Sequence, residues 1–142
     1  MANLTASSTL ADLPAHEYRV EATIQCREVV VGFEQNLTTP GVIVYKNDQM
    51  YGMLSRAAFL NHMAKGYNTE VYPKRPVQVM IDYLKPEVLV LPASTPIVEA
   101  ARQAIHRLTP HTYDPIVVET SDRLSLIDMH DLLQAVVGLI AA

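Results

Sequence analysis

A chain of 142 residues, 49% hydrophobic and 18% charged, has room for one compact domain or two small halves and is unlike a disordered polymer. Its net charge of −4 and the lack of any basic run exclude the clustered Lys/Arg surface that holds nucleic acid by neutralising phosphates. A single cysteine, Cys26, excludes an internal disulfide and a CxxC metal knuckle, and its spacing is that of a small buried thiol on a helix.

Residues 1–16 are Ser/Thr/Ala-rich and aperiodic, which predicts a loose arm. They lack the basic start and long apolar run of a signal peptide, and no run approaches the roughly 20 apolar residues of a membrane span. A cytoplasmic protein without a membrane partner is expected. Periodicity begins after Tyr18. In "IQCREVVVGFEQN" (24–36) and just beyond, Val29, Val30, Phe33 and Leu37 share one helical face. "TTPG" ends that helix, "VIVY" (42–45) reads as a buried strand, "KNDQ" (46–49) as a hairpin turn and "MYGMLS" (50–55) as the returning strand. Ser55 can cap a helix through "RAAFLNHMAKG", with Phe59, Leu60 and Met63 inward and Gly66 as terminator. Residues 66–86, with three prolines and the pair Lys74–Arg75, read as a connector.

The order then recurs. "EVLVLP" (87–92) is a strand, and "STP" (94–96) opens a helix with Pro96 suited to its first position. Ile97, Ala100, Ala101, Ala104, Ile105 and Leu108 form that helix's apolar stripe. "IVVE" (116–119) and "LSLID" (124–128) flank the turn "TSDR", and a last helix carries Met129, Leu132, Leu133, Val136, Val137 and Ile140 on one face. A shift of 73 pairs Ile43 with Ile116, Val44 with Val117, Tyr51 with Leu124, Gly52 with Ser125, Phe59 with Leu132 and Leu60 with Leu133. The first helices match at a shift one or two smaller. The chain is therefore a duplication: repeat 1 over 17–65 and repeat 2 over 87–142. Each copy is too small to bury its own faces, so the two are expected to pack on each other.

The repeated unit resembles the cystathionine β-synthase (CBS) domain, through "GVIVYKNDQMYGMLSRAAFL" in one copy and "DPIVVETSDRLSLIDMHDLL" in the other. The likeness spans roughly residues 17–140. It implies an α/β (α+β) fold of two β-α-β-β-α repeats with pseudo-twofold symmetry. It also implies a non-catalytic module that binds an adenosine-type ligand between its repeats: AMP, ATP, S-adenosylmethionine or a cyclic dinucleotide. The "YPKRPV" connector is similar to those in CBS pairs upstream of signalling output domains. A homodimer formed through the terminal helices is implied as well, and the apolar Val137, Leu139 and Ile140 suit it.

In such modules a Ser/Thr hydroxyl at the strand-to-helix junction contacts phosphate, and an Asp three residues later takes the ribose hydroxyls. The chemistry is sound, since a diol offers two donors to a carboxylate and a helix N-terminus offers N–H groups to an anion. The first copy matches at Ser55 but has Ala58 at the acid position. The second matches at Asp131 but has Asp128 at the hydroxyl position, where its charge opposes phosphate. The implied contact set is Ser55, Arg56, Pro115, Ile116, Asp128, Met129 and Asp131, with Arg56 or Lys74–Arg75 as compensating cations. Read from the residues alone, Asp128 fits a helix N-cap, Asp131 a first-turn acid favoured by the helix dipole, and His130 a solvated side chain. Asp128, His130 and Asp131 lack the spacing of a metal set, and no Ser/His/Asp, Cys/His or Gly-rich phosphate loop is present. A ligand-free dimerisation module with degenerate nucleotide sites is the alternative.

Overall fold

A computed structural model describes residues 4–141. They form two compact units: residues 17–87, and residues 88–141 together with 4–16.

The first unit runs β1 (Arg19–Glu21), α1 (Cys26–Gln35), β2 (Gly41–Lys46), β3 (Gln49–Ser55) and α2 (Arg56–Met63). It continues through α3 (Asn68–Val71), a 3-10 turn over Tyr72–Lys74 and α4 (Val77–Leu84). β1 lies parallel to β2, which pairs antiparallel with β3. The hairpin closes through Asn47 and Asp48 at φ 53° and 62°, the left-handed values a two-residue turn matched to strand twist requires and that Asn and Asp tolerate. Cys26, Val29, Phe33, Val42, Val44, Leu54, Phe59, Val77 and Met80 make the core.

The second unit runs β4 (Val90–Pro92), α5 (Ile97–Ile105), β5 (Ile116–Glu119), β6 (Leu124–Ile127) and α6 (Met129–Ala141). Its sheet has the same order, with β4 parallel and β6 antiparallel to β5. Leu91, Ile97, Ala100, Ala104, Ile116, Val118, Ile127 and Leu132 fill its core. Both units have the α/β order expected of the repeats.

The duplication holds, with one correction. Ile43 faces Arg19 and Met53, and Val117 faces Val90 and Leu126, so Val117 is the counterpart of Ile43, and Ile116 that of Val42. The pairing of Ile43 with Ile116 slips by one because β3 carries a bulge at Tyr51, an extra residue opposite Val44 and Tyr45 that the second hairpin lacks, so Met50 and not Tyr51 stands where Leu124 does. Beyond the bulge the shift of 73 is kept: Phe59 and Leu132 are both fully buried, and Leu60 and Leu133 are both turned outward.

Two further expectations change. Residues 4–16 are not a loose arm: Leu10 and Leu13 are buried against Leu91, Ile97 and Ala100. The Leu10 and Ala11 N–H groups donate to Thr95 O (3.0 Å) and Ala93 O (3.1 Å), and Ile97 N–H donates to Ser8 O (3.0 Å). The supposed connector is likewise built into the first unit. Val77 and Gln78 N–H donate to Ile24 O (2.8 Å) and Ala22 O (3.1 Å), and Val77, Met80 and Ile81 are buried. These are the same contacts in both units, so Leu10 and Ala11 occupy in one the place of Val77 and Gln78 in the other. Each repeat is closed by a lid that the chain carries in front of the other repeat.

The helical stripes are also narrower than expected. Leu37 falls past the end of α1, and Leu37, Leu60, Ile105, Leu108, Leu133, Val137 and Ile140 are exposed. His62 takes the inward place on α2 instead. Pro96 is the N-cap of α5, not its first residue.

Candidate functional site

The candidate site consists of the two strand-to-helix junctions, β3–α2 and β6–α6, which belong to different units and are described one at a time.

At β3–α2 the chain stays extended through Ser55 (φ −66°, ψ 151°) before turning into the helix. The Ser55 hydroxyl accepts the Ala58 N–H at 3.1 Å, satisfying one of the free donors of the first turn. The residue is buried, and the cap leaves the hydroxyl its own O–H to donate. Arg56, in contrast, is committed. Its guanidinium donates to Phe33 O (3.0 Å), Asn36 O (3.0 Å) and Thr39 O (3.3 Å) and lies over the Phe33 ring, 5.0 Å from its centre. These carbonyls cluster at the C-terminal, negative end of α1 and the loop after it, where a cation is favoured. Arg56 thus anchors the α1–β2 loop, and its fork is unavailable as a compensating cation for phosphate. Lys74 and Arg75 are exposed.

At β6–α6 Asp128 Oδ1 accepts the His130 N–H at 3.0 Å, the N-cap geometry expected from the sequence. Asp131, on the first turn of a 13-residue helix, has a side chain 26% exposed and makes no hydrogen bond among the described residues. Its Oδ1 lies 4.0 Å from His130 Nδ1, on a side chain that is 79% exposed. The first turn therefore presents two carboxylates to the positive end of the helix, one capping it and one open to a donor pair. Met129 and Ile116 lie in the core of the unit and Pro115 is buried, so these three shape the wall beneath the junction and do not expose their side chains at it. No group of three or more His, Cys, Asp or Glu that could hold a metal occurs among the described residues. No helix among them is long and apolar enough to cross a membrane.

Arg107 was not singled out by sequence. Its Nε donates to Ala104 O (3.1 Å) and its Nη2 to Thr112 O (2.9 Å) and Asp114 O (2.8 Å), while burial pushes its pKa down. It tethers the loop before β5 as Arg56 tethers the loop before β2, and Ala104 stands where Phe33 does. Beside it His111 Nδ1 meets Asp114 Oδ2 at 2.9 Å. His62, on α2, is buried.

No family model matches the sequence, and no curated protein does. Solved structures do match in fold. A CBS-domain protein from Thermotoga maritima has a TM-score of 0.69 at 13% identity, over 93% of this chain and 96% of that one. A CBS-domain protein from Agrobacterium tumefaciens has a TM-score of 0.67 at 16% identity, over 91% and 93%. The cytosolic domain of the Mg2+ channel MgtE in complex with ATP has a TM-score of 0.59 at 17% identity, over 82% of this chain and 44% of that one.

Proposed function

We propose that this chain, which has the fold of a tandem CBS pair, is a non-catalytic regulatory module whose second repeat takes an adenosine-type ligand through Asp131. The observation that carries this reading is an unengaged, partly exposed carboxylate on the first turn of α6, at the position where the repeat pattern puts the ribose contact. A carboxylate there can accept both hydroxyls of a ribose. A solved relative in fold carries ATP, which makes an adenosine ligand the first class to test. Asp128 sharpens the choice, because its negative charge at the phosphate position favours S-adenosylmethionine or a bare adenosine moiety over ATP. Ligand binding acts on an output domain or partner only through its preference for one arrangement of the module over another.

Isothermal titration against AMP, ATP, S-adenosylmethionine and a cyclic dinucleotide tests the proposal. Binding is expected to be strongest for the ligand with least negative charge and to be lost in Asp131→Ala. Asp128→Thr keeps an N-cap and restores a hydroxyl, so ATP should gain about tenfold, close to 1.4 kcal/mol. Equal binding by wild type and Asp131→Ala would overturn the assignment.

A second reading, a ligand-free homodimerisation module, draws on the engaged Arg56 fork and on the exposed apolar row Leu133, Val137 and Ile140. A flat response to all four ligands from a chain that sediments as a dimer would favour it.

A further inference from the structure

His62 is the one histidine between residues 17 and 87, and its side chain is buried on α2 at 6% exposure. Its surroundings come from the segment that follows. The Tyr72 ring stands edge-to-face with the imidazole, centres 4.7 Å apart, and Tyr83 lies tilted against it at 5.2 Å. Asn68 Nδ2 donates to the His62 carbonyl at 2.9 Å. Three elements are thereby gathered round one residue: α3, the 3-10 turn and α4. Inside this enclosure the His62 Nε2 has no hydrogen-bond partner.

A neutral imidazole tolerates that seat, since one bare nitrogen among aromatic rings is a modest cost. A charged one does not, because both nitrogens then carry protons that need acceptors or water. The ionisable groups around the ring are Lys65 just past α2, Tyr72 on the turn and Tyr83 on α4, with Cys26 and Arg75 behind Tyr72. At neutral pH none of these is an anion. Aromatic faces replace only part of a cation's hydration, and Lys65 opposes a second positive charge.

We propose that His62 is a proton-operated latch: neutral, it seats residues 68–75 on α2, and charged, it lets that segment open. α4 stays in place when the latch opens, because Val77, Met80 and Ile81 remain buried and the Tyr51 hydroxyl donates to Asp82. The device is independent of the ligand reading, since it involves neither strand-to-helix junction. Burial first, and Lys65 second, hold the imidazole below its ordinary value. The opened state therefore takes up the proton more readily. The closed state loses stability as pH falls from about 6.5 through the lower value of the closed form.

Hydrogen exchange, expressed as protection factors to remove the intrinsic pH dependence, tests the latch. The Val71 and Arg75 amides, bonded to Tyr67 O and Tyr72 O, should lose protection several-fold between pH 7.5 and pH 5, while those of β2 and β3 keep theirs. His62→Phe fills the same space without a titrating group and should abolish the loss. An equal loss in His62→Phe, or none in wild type, would overturn the proposal. Should His62→Phe fail to fold, the wild-type imidazole followed by NMR decides: a midpoint below the ordinary histidine value supports the latch, and one at or above it refutes it.

Discussion

Arg56 and Arg107 hold equivalent carbonyls, Phe33 O and Ala104 O, from unrelated positions in the sequence. One reaches back from the start of α2, and the other sits just past the end of α5, three residues beyond the carbonyl it holds. Each closes a helix C-terminus and pins the loop that leads into the central strand, a task suited to a planar fork with several donors. Arg56→Lys keeps the charge but replaces a fork whose two nitrogens span the three carbonyls with a single ammonium nitrogen. It should lower stability by about 1–3 kcal/mol in denaturant unfolding and leave binding at Asp131 unchanged. A drop in affinity with intact stability would instead return Arg56 to the ligand site. The contrast with Ser55 and Asp128 shows what sequence can reveal at this scale. Both caps were legible because a cap depends on its own next two or three residues. Arg56 was not, since its acceptors lie 17 to 23 positions upstream and its neighbours say nothing of them. His62 was hidden for the same reason. An amphipathic reading of α2 favours Leu60 inward, and only Tyr72 and Tyr83 make a buried imidazole acceptable.

Among the elements, the two lids differ in how plainly they announce themselves. "VQVMIDYL" puts Val77, Met80, Ile81 and Leu84 at helical spacing, a signal present in the sequence but overshadowed by the surrounding prolines. The lid of the second unit is a single 3-10 turn, Leu10–Asp12, too short for any periodicity to register. Its two anchors, Leu10 and Leu13, sit among Ser, Thr and Ala and look like an arm. The strands and the four main helices were legible because pattern and turn chemistry agree there, and the bulge at Tyr51 of β3 was not, since one extra residue leaves no mark in so short a run. Leu10→Ala should cost about 2–5 kcal/mol, as for other buried leucines. Hydrogen exchange should rise in β4 and α5, some eighty residues away, and stay unchanged in β2 and β3. A response confined to residues 4–16 would show the lid to be dispensable.

For the molecule as a whole, the two units are alike in architecture and unlike in connectivity. Residues 17–87 are contiguous, whereas the other unit is assembled from both ends of the described chain. A fragment cut where the second repeat begins, residues 88–142, would leave Leu91, Ile97 and Ala100 without their cover. We expect it to be poorly structured by circular dichroism and to gain structure when a peptide of residues 1–16 is added. A fragment equally ordered with and without the peptide would contradict this. Crossed lids also set an order of events during synthesis. The first unit has all its parts once residue 87 has emerged from the ribosome. Leu10 and Leu13, made before the first unit, must wait for Thr95 and Ile97, which at about 5–20 residues per second takes on the order of ten seconds. A segment made before the first unit is therefore seated after it, and over that interval it is an apolar stretch open to chaperones.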